Sequence, residues 1–267
     1  MEDVTIKLKN RFDLSNLTFP CLKNSDDLIH RLESIPKLNL VDITNTWLIT
    51  FDFESLYTNI TRKYVMYMLN TALKYHFLTQ KEYHACSQLY NFMQDNTFFH
   101  IGHEKFYRQI NGLTMGSYDA QNTSNNVLLF HELDLLKHPL IQKFVKCYSR
   151  YIDDGFCIIQ GDIYIVHEIR KIISTILPTE IPIEFCIRKF RNNFLDLWIT
   201  LDNNTFKDGK LAYHIYQKEF NTYSYIHRNS NHPRYIFHGI IKTEHIRYKR
   251  KSSSYLERSH IQKLFTI

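Results

Sequence analysis

The chain has 267 residues, enough for one large domain or two modest ones with a full hydrophobic core. Apolar residues make up 44% of it and aromatic residues 15%, a composition that excludes a disordered protein and favours a globular one. The formal net charge of +6 is a mild excess, informative only where it is clustered. It is clustered over residues 228–258, at the C-terminal end.

The cysteines and the hydropathy pattern limit the location of the protein. Five cysteines are an odd number without paired spacing, so the sequence suggests neither a disulfide framework nor a zinc site. This favours a reducing, intracellular compartment without distinguishing nucleus from cytoplasm. No window approaches the run of about 20 apolar residues that a membrane helix needs. We therefore expect a soluble protein without a membrane partner.

The N-terminal third contains one strong strand signal. Residues 1–45 show no sustained periodicity, and only residues 26–33 fit a short helix. Residues 47–53 (WLITFDF) are rich in β-branched and aromatic side chains, which predicts a buried strand with Asp52 at its C-terminal end. Apolar residues at helical spacing then predict two helices, over residues 63–74 and 81–94.

The next segment combines aromatic runs with a loop of small residues. Two aromatic runs around a glycine predict a hairpin over residues 96–109. Gly112 and Gly116 follow in the loop 111–117, and glycines before a helix let backbone amides approach a ligand closely. Asp119 or Thr123 is suited to cap the helix that continues to residue 137.

Two adjacent acids, Asp153 and Asp154, lie between apolar runs and are followed by Gly155. This pattern over residues 148–159 predicts a β-hairpin with its carboxylates at the turn. Adjacent like charges repel, and a divalent cation is the usual way to neutralise them. The alternative is an ordinary solvated Asp-Asp-Gly turn.

The remaining elements complete a recognisable order. We predict a helix over residues 163–177, strands over 183–187, 194–201 and 210–216, and a basic helix from residue 234. With the inserted hairpin set aside, the order approximates the βαββαβ of a ferredoxin-like sheet, an α+β fold with helices on one face. Such a sheet brings Asp52, Asp153 and Asp154 to one edge, as two divalent ions about 3.5–4 Å apart require.

Six short segments follow one another along the chain: 52–60 (DFESLYTNI), 109–117 (QINGLTMGS), 150–154 (RYIDD), 194–196 (FLD), 216–218 (YQK) and 229–233 (NSNHP). In composition and order they resemble the motifs of reverse transcriptases, and among them the Penelope-like retroelement type. The resemblance covers residues 47–253, and it implies a right-hand polymerase palm followed by a helical thumb. The implied division is a truncated or divergent fingers region at 1–45, the palm at 46–200, and a palm–thumb junction with a basic thumb at 201–267.

The sequence departs from that family in three places. Ser117 leads into residues 118–122 (YDAQN) without the prolines that the family has there. The basic Pro-Lys-x-x-Lys segment expected before Asp52 is missing, and so is the GIY-YIG endonuclease that often follows. The resemblance implies an RNA-directed DNA polymerase that adds deoxynucleotides to a primer 3′-hydroxyl. The alternatives are a catalytically silent remnant that binds nucleic acid and, more remotely, an RNA-directed RNA polymerase.

The resemblance also implies roles for individual residues. Asp52 and Asp153 would bind two Mg²⁺ ions, for which Mn²⁺ can substitute, with Asp154 as an outer ligand. Tyr57 would exclude the 2′-hydroxyl of a ribonucleotide, and the alternative is simple core packing. The residues expected to shape the nucleotide pocket are Gln109, Gly112, Met115 and Gly116, with Lys189 as a proton donor or simply a solvated lysine. Asp196, inside an apolar strand, is expected to be structural.

The implied partners are an RNA template, a DNA or RNA primer and deoxynucleoside triphosphates. Cations near the C-terminus, interleaved with aromatic residues, suit a thumb that binds backbone phosphates, although such clusters are often only solvated surface. The candidate phosphate-binding residues are Arg228, Arg234, Arg247, Lys249, Arg250 and Lys251.

Overall fold

The computed structural model describes residues 10, 19–35, 40–102, 105–201, 211–218, 225–227 and 229–253. Arg228, predicted to bind nucleic acid, lies outside this set. The elements in chain order are α1 (Ser25–Ser34), a 3₁₀ helix (Leu40–Asn45), β1 (Thr46–Phe53), α2 (Leu56–Asn59), α3 (Arg62–Lys74), α4 (Gln80–Asp95), β2 (Phe98–Ile101), β3 (Lys105–Arg108), α5 (Ala120–Lys137), α6 (Pro139–Phe144), β4 (Val145–Tyr151), β5 (Asp154–Gln160), α7 (Ile163–Ile176), β6 (Ile183–Arg188), β7 (Arg191–Phe194), β8 (Leu197–Thr200), β9 (Ala212–Ile215) and α8 (Arg234–Arg250).

The main sheet has four strands in the order β4-β5-β1-β6, and all its neighbours are antiparallel. Helices α2 to α6 lie between β1 and β4, and α7 connects β5 to β6, so the connectivity of the main sheet is the predicted βαββαβ. β2 and β3 form a separate two-stranded hairpin, also as predicted.

One face of the main sheet is covered by helices. Side chains alternate along β1, so Ile49, Phe51 and Phe53 lie on this face, where they belong to a cluster with buried residues of α3, α5 and α7. Helix α5 has buried residues around its whole circumference, which fits its position within this layer. This face is therefore the larger part of the hydrophobic core.

The second face is covered at one end only. Leu48 and Phe156 pack there with α1 and with the three-stranded sheet β7-β8-β9. The Phe156 and Phe194 rings stack with their centroids 5.3 Å apart, and buried Asn192 on β7 donates to the backbone oxygen of Leu48 at 3.1 Å. The end of β1 that carries Asp52 remains exposed on this face.

Most of the predicted helices and strands are confirmed close to their predicted bounds. The single strand predicted over residues 194–201 is wrong, because the chain turns at Leu195 and Asp196 and forms the β7–β8 pair instead. Leu195 has a positive φ of 54°, which is uncommon for leucine. Asp196 therefore lies at a turn and not inside a strand. Helix α6 has no counterpart among the predictions.

None of the helices within the described ranges is both long enough and apolar enough to cross a membrane.

Candidate active site

Three acids lie side by side at the exposed end of the main sheet. Asp52 on β1 is paired with Asp154 on β5 and, on its other side, with Glu184 on β6. Side chains on directly opposed residues of antiparallel strands begin about 4.5–5.5 Å apart, so the three carboxylates share one face. Asp154, predicted as an outer ligand, is thus the register partner of Asp52, and Glu184 was not predicted at all.

Asp153 occupies the two-residue turn between β4 and β5. The residue before it, Ile152, has a positive φ of 56°. For a β-branched residue this is a strained conformation, with a cost of about 1–2 kcal/mol. The backbone oxygen of Asp153 accepts a hydrogen bond from the Phe53 amide at 3.3 Å. This bond connects the turn to the residue directly after Asp52.

The pKa values reflect the crowding of negative charge. Partial burial and the neighbouring charges of Asp153 and Glu184 raise the pKa of Asp52. Burial and the charges of Asp153 and Asp52 raise the pKa of Asp154 to about 6, against a smaller opposite effect of Lys218. A site in which carboxylates raise one another's pKa values favours a bound cation.

Asp52, Asp154 and Glu184 line a cleft of about 450 Å³ between the main sheet and the three-stranded sheet β7-β8-β9. Its wall contains Asp52, Asp154 and Glu184 on one side and Leu195, Tyr216 and Lys218 on the other. Among the described residues of this wall, Lys218 is the one cationic side chain. The sequence contains a signal for Lys218 as a site residue, because residues 216–218 (Tyr-Gln-Lys) are one of the segments singled out above. It contains no local signal for Glu184, which is one of several exposed positions in the alternating strand β6.

The donor set agrees with a hard divalent cation. Carboxylate oxygens are the ligands that Mg²⁺ and Mn²⁺ prefer, and Asp52, Asp153 and Asp154 supply them from adjacent backbone positions. Within the described ranges, however, no three side chains of His, Cys, Asp or Glu are arranged so that they could already hold an ion. The chemistry of the site fits, while a complete three-donor set is not preformed there.

The loop predicted to bind nucleotide lies against the segment that contains Tyr57. The Leu113 amide donates to the Tyr57 backbone oxygen at 2.6 Å. A Cβ on Gly112 would come within 2.8 Å of the backbone oxygen of Thr58, and the φ of Gly112 is +82°, so this position needs glycine. Tyr57 is partly buried and packs against the larger core cluster.

Gln109, Met115 and Gly116 have different environments. The Gln109 side chain donates to the Asn111 backbone oxygen at 2.9 Å and accepts from the Thr114 hydroxyl at 3.0 Å, so it holds the loop together. Met115 is 71% exposed, and Gly116, with a φ of +88°, has open space where a Cβ would lie. These two residues are available to a ligand, whereas Gln109 shapes the loop from within.

Lys189 is not brought to the acids. Its ammonium group lies over the Trp47 ring, 5.1 Å from the centroid. Trp47 is five residues before Asp52 on β1, which corresponds to roughly 16 Å at about 3.3 Å per residue. The predicted role of Lys189 as a proton donor at the acids therefore does not agree with its position. Lys218 is the lysine that the structure places beside them.

The cations of α8 and Lys251, the residue directly after it, fall into two groups. Lys251 forms an ion pair with Asp196, and Arg247 pairs with Glu244 at 3.0 Å and lies 3.7 Å from Asp196. Burial opposes ionisation of Asp196, but hydrogen bonds from Lys251 and Ser25 hold its pKa below the usual value. These two cations connect α8 to the β7–β8 turn. The remaining predicted phosphate-binding residues, which are exposed, are Arg234, Lys249 and Arg250.

No protein-family model matches the sequence, and no curated protein matches it. Solved structures do resemble the fold. Telomerase from Candida albicans, in complex with the TWJ fragment of telomeric RNA, has a TM-score of 0.64 and 12% identity, over 91% of this chain and 40% of its own. Telomerase from Candida tropicalis with the same kind of fragment has a TM-score of 0.57 and 10% identity, over 99% of this chain and 45% of its own.

A viral RNA-dependent RNA polymerase from BmCPV is also similar, with a TM-score of 0.47 and 12% identity over 74% of this chain and 19% of its own. At these identities the similarity shows the fold alone, which this chain shares with the telomerase chains. The chain spans less than half the length of the telomerase chains it matches.

Proposed function

We propose that this chain is the catalytic part of an RNA-directed DNA polymerase of a Penelope-like retroelement. In this proposal the four-stranded sheet is the palm and α8 belongs to the thumb. The observation that carries it is the pairing of Asp52 with Asp154 at the exposed end of the main sheet. Asp153 lies in the adjoining turn, and the telomerase-like fold supports the same assignment.

In the proposed reaction, Asp52, Asp153 and Asp154 would hold two Mg²⁺ ions. Bound ions would supply charge neutralisation at the attacking 3′-hydroxyl and at the pyrophosphate leaving group. The carboxylates of Asp52, Asp153 and Asp154 themselves would hold the ions at a fixed position, because the strand pairing fixes their backbone. Lys218 lies on the facing wall of the cleft, where its ammonium group can pair with a phosphate oxygen of the nucleic acid or nucleotide.

The loop at Gly112 and the ring of Tyr57 would select the nucleotide. The Leu113–Tyr57 hydrogen bond fixes the loop against the segment that follows Asp52, so both approach the same substrate. An aromatic ring against the sugar would exclude a 2′-hydroxyl and favour deoxynucleotides. Exposed Met115 and Gly116 would contact the base pair between template and incoming nucleotide.

The test is extension of a DNA primer on an RNA template by the purified chain with Mg²⁺ and deoxynucleotides. We expect Asp52→Asn and Asp154→Asn each to reduce the rate by at least about 100-fold. Glu180→Gln is the matched control, since Glu180 is an exposed acid paired with Lys63 outside the cleft, and it should keep the wild-type rate. A wild-type rate no higher than that of Asp52→Asn contradicts the proposal.

One observation favours a second candidate, a silent remnant that binds nucleic acid without turnover. Residues 118–122 (YDAQN), which follow the loop at Gly112 and Gly116, lack the prolines that the Penelope-like type has there. This candidate predicts salt-sensitive binding of a primer–template duplex, measured by fluorescence anisotropy, together with no incorporation at any Mg²⁺ or Mn²⁺ concentration. Primer extension that depends on Asp52 rules it out.

A further inference from the structure

Arg150 on β4 is completely buried, and its guanidinium group is fully used. Its Nε and Nη2 donate to the two carboxylate oxygens of Glu132 on α5, at 2.7 and 3.0 Å. Its Nη1 donates to the side-chain oxygen of Asn125 at 2.8 Å and to the backbone oxygen of Ile152 at 2.7 Å. Arg150 and Glu132 both have 0% exposed side chains. One buried cation therefore connects helix α5 to the turn that carries the acids.

The bond to Ile152 acts on the peptide group before Asp153. The oxygen of Ile152 and the amide nitrogen of Asp153 belong to the same planar unit, so holding the oxygen also orients the Asp153 backbone. The peptide group after Asp153 is held as well, because its oxygen accepts from the Phe53 amide. Arg150 thus fixes one side of Asp153, and strand β1 fixes the other.

The strain at Ile152 shows why such a constraint is needed. A β-branched residue with a φ of +56° persists only where the surrounding structure over-determines its conformation. The hydrogen bond from Arg150 is a direct constraint of this kind. Asn125 and Glu132 are seven residues, or about two turns, apart on α5, so they lie on one face of the helix and both contact the guanidinium group.

We infer that Arg150 is a positioning residue that holds the Ile152–Asp153 turn, and with it the acid cluster, in register with Asp52. Helix α5 begins directly after the loop that contains Gly112, so the same helix fixes the spacing between loop and acids. The catalytic consequence rests on the proposed polymerase function. The constraint on the turn does not depend on that function.

The first test is amide hydrogen exchange of the purified full chain. Arg150→Lys keeps the charge but loses the fork of donors, so amides of residues 151–155 should exchange at least about 10-fold faster while those of residues 46–51 keep their rates. Arg31→Lys is the matched control. Arg31 also donates to β4, at the Tyr148 oxygen and the Ser149 hydroxyl, and it should leave residues 151–155 unchanged. Equal acceleration throughout the sheet in Arg150→Lys would overturn the inference.

If Arg150→Lys does not fold, Asn125→Ala replaces it. This variant keeps the Glu132 pair and removes one of the two acceptors of Nη1, so a smaller acceleration confined to residues 151–155 is expected. Unchanged exchange in that turn would contradict the inference.

The second test is a double-mutant cycle with Ile152→Gly, measured by primer extension. Arg150→Lys should lower kcat by about 10- to 100-fold with little change in KM, because misplaced catalytic groups slow the reaction itself. The loss should be smaller in the Ile152→Gly background, since glycine adopts a positive φ without strain. Additive effects would show that Arg150 does not act through the turn. Absence of extension by the wild type refutes the proposed function, while hydrogen exchange still decides the role of Arg150.

Discussion

Gly155→Ala tests the packing that brings Asp154 beside Asp52. Gly155 is paired with Phe51 across β1 and β5, and an added Cβ would lie 2.0, 2.1 and 2.5 Å from three ring carbons of Phe51. The Phe51 ring has little room to move, because the rings of Phe53, Tyr148 and Phe185 surround it at centroid distances of 5.9, 6.0 and 5.7 Å. Overpacking of a core costs about 1–3 kcal/mol, and we expect the upper end here.

The free energy of unfolding in urea, with the midpoint and slope compared, is the appropriate measurement. Gly239→Ala is the control, because Gly239 lies within α8 with open space around it and alanine should stabilise that helix by about 0.5–1 kcal/mol. Phe51→Leu in the Gly155→Ala background should recover part of the loss by providing room. An unfolding free energy of Gly155→Ala within about 0.5 kcal/mol of the wild type would refute the reasoning.

Three further predictions concern the acids, α8 and Tyr57. The pKa of Asp154 in the folded protein lies above its unfolded value, so stability is lost as pH rises from about 4 to 6. In metal-free buffer, Asp154→Asn should therefore raise the unfolding free energy at pH 7 by about 1 kcal/mol, which is less than the full pKa shift implies because solvent screens the exposed carboxylate. At pH 4 the same substitution should bring no gain. Replacing exposed Lys249 and Arg250 by alanine should lower the salt-dependence slope of nucleic-acid binding by about one per residue; Arg247→Ala should instead mainly lower stability, and equal slope changes for all three would contradict this division. Tyr57→Val should increase ribonucleotide incorporation by about 10-fold in primer extension, and an unchanged ratio would reject its role at the sugar.

The arrangement of the main sheet was predictable because its signals are local. Alternation along residues 47–53 and helical spacing over 63–74 are each contained in a short window. Their order then limited the topology, since few arrangements satisfy βαββαβ. The pairing of Asp52 with the Asp153–Asp154 hairpin followed from that topology, although the exact partner, Asp154, depends on strand register.

The remaining features depend on contacts distant in sequence or on turns without a signal. The turn at Leu195 and Asp196 contains neither glycine nor asparagine, so residues 194–201 resemble one apolar strand. The Lys251–Asp196 pair joins residues 55 positions apart, and only the fold brings them together. Lys189 illustrates the same limit. It directly follows β6 in the sequence, but this does not reveal that its side chain lies over Trp47, at the end of the sheet away from the acids.

The hydrophobic cluster on the second face of the main sheet has a consequence for how this protein can change over evolution. Leu28 from α1, Leu48 and Phe156 from the main sheet, and Tyr213 from β9 share that cluster, so one interior is assembled from segments almost two hundred residues apart. A fragment limited to residues 46–200 would expose this apolar face to water and become prone to aggregation. Neither flanking segment can then be exchanged between relatives independently, and substitutions in them should be inherited together with compensating changes in the sheet.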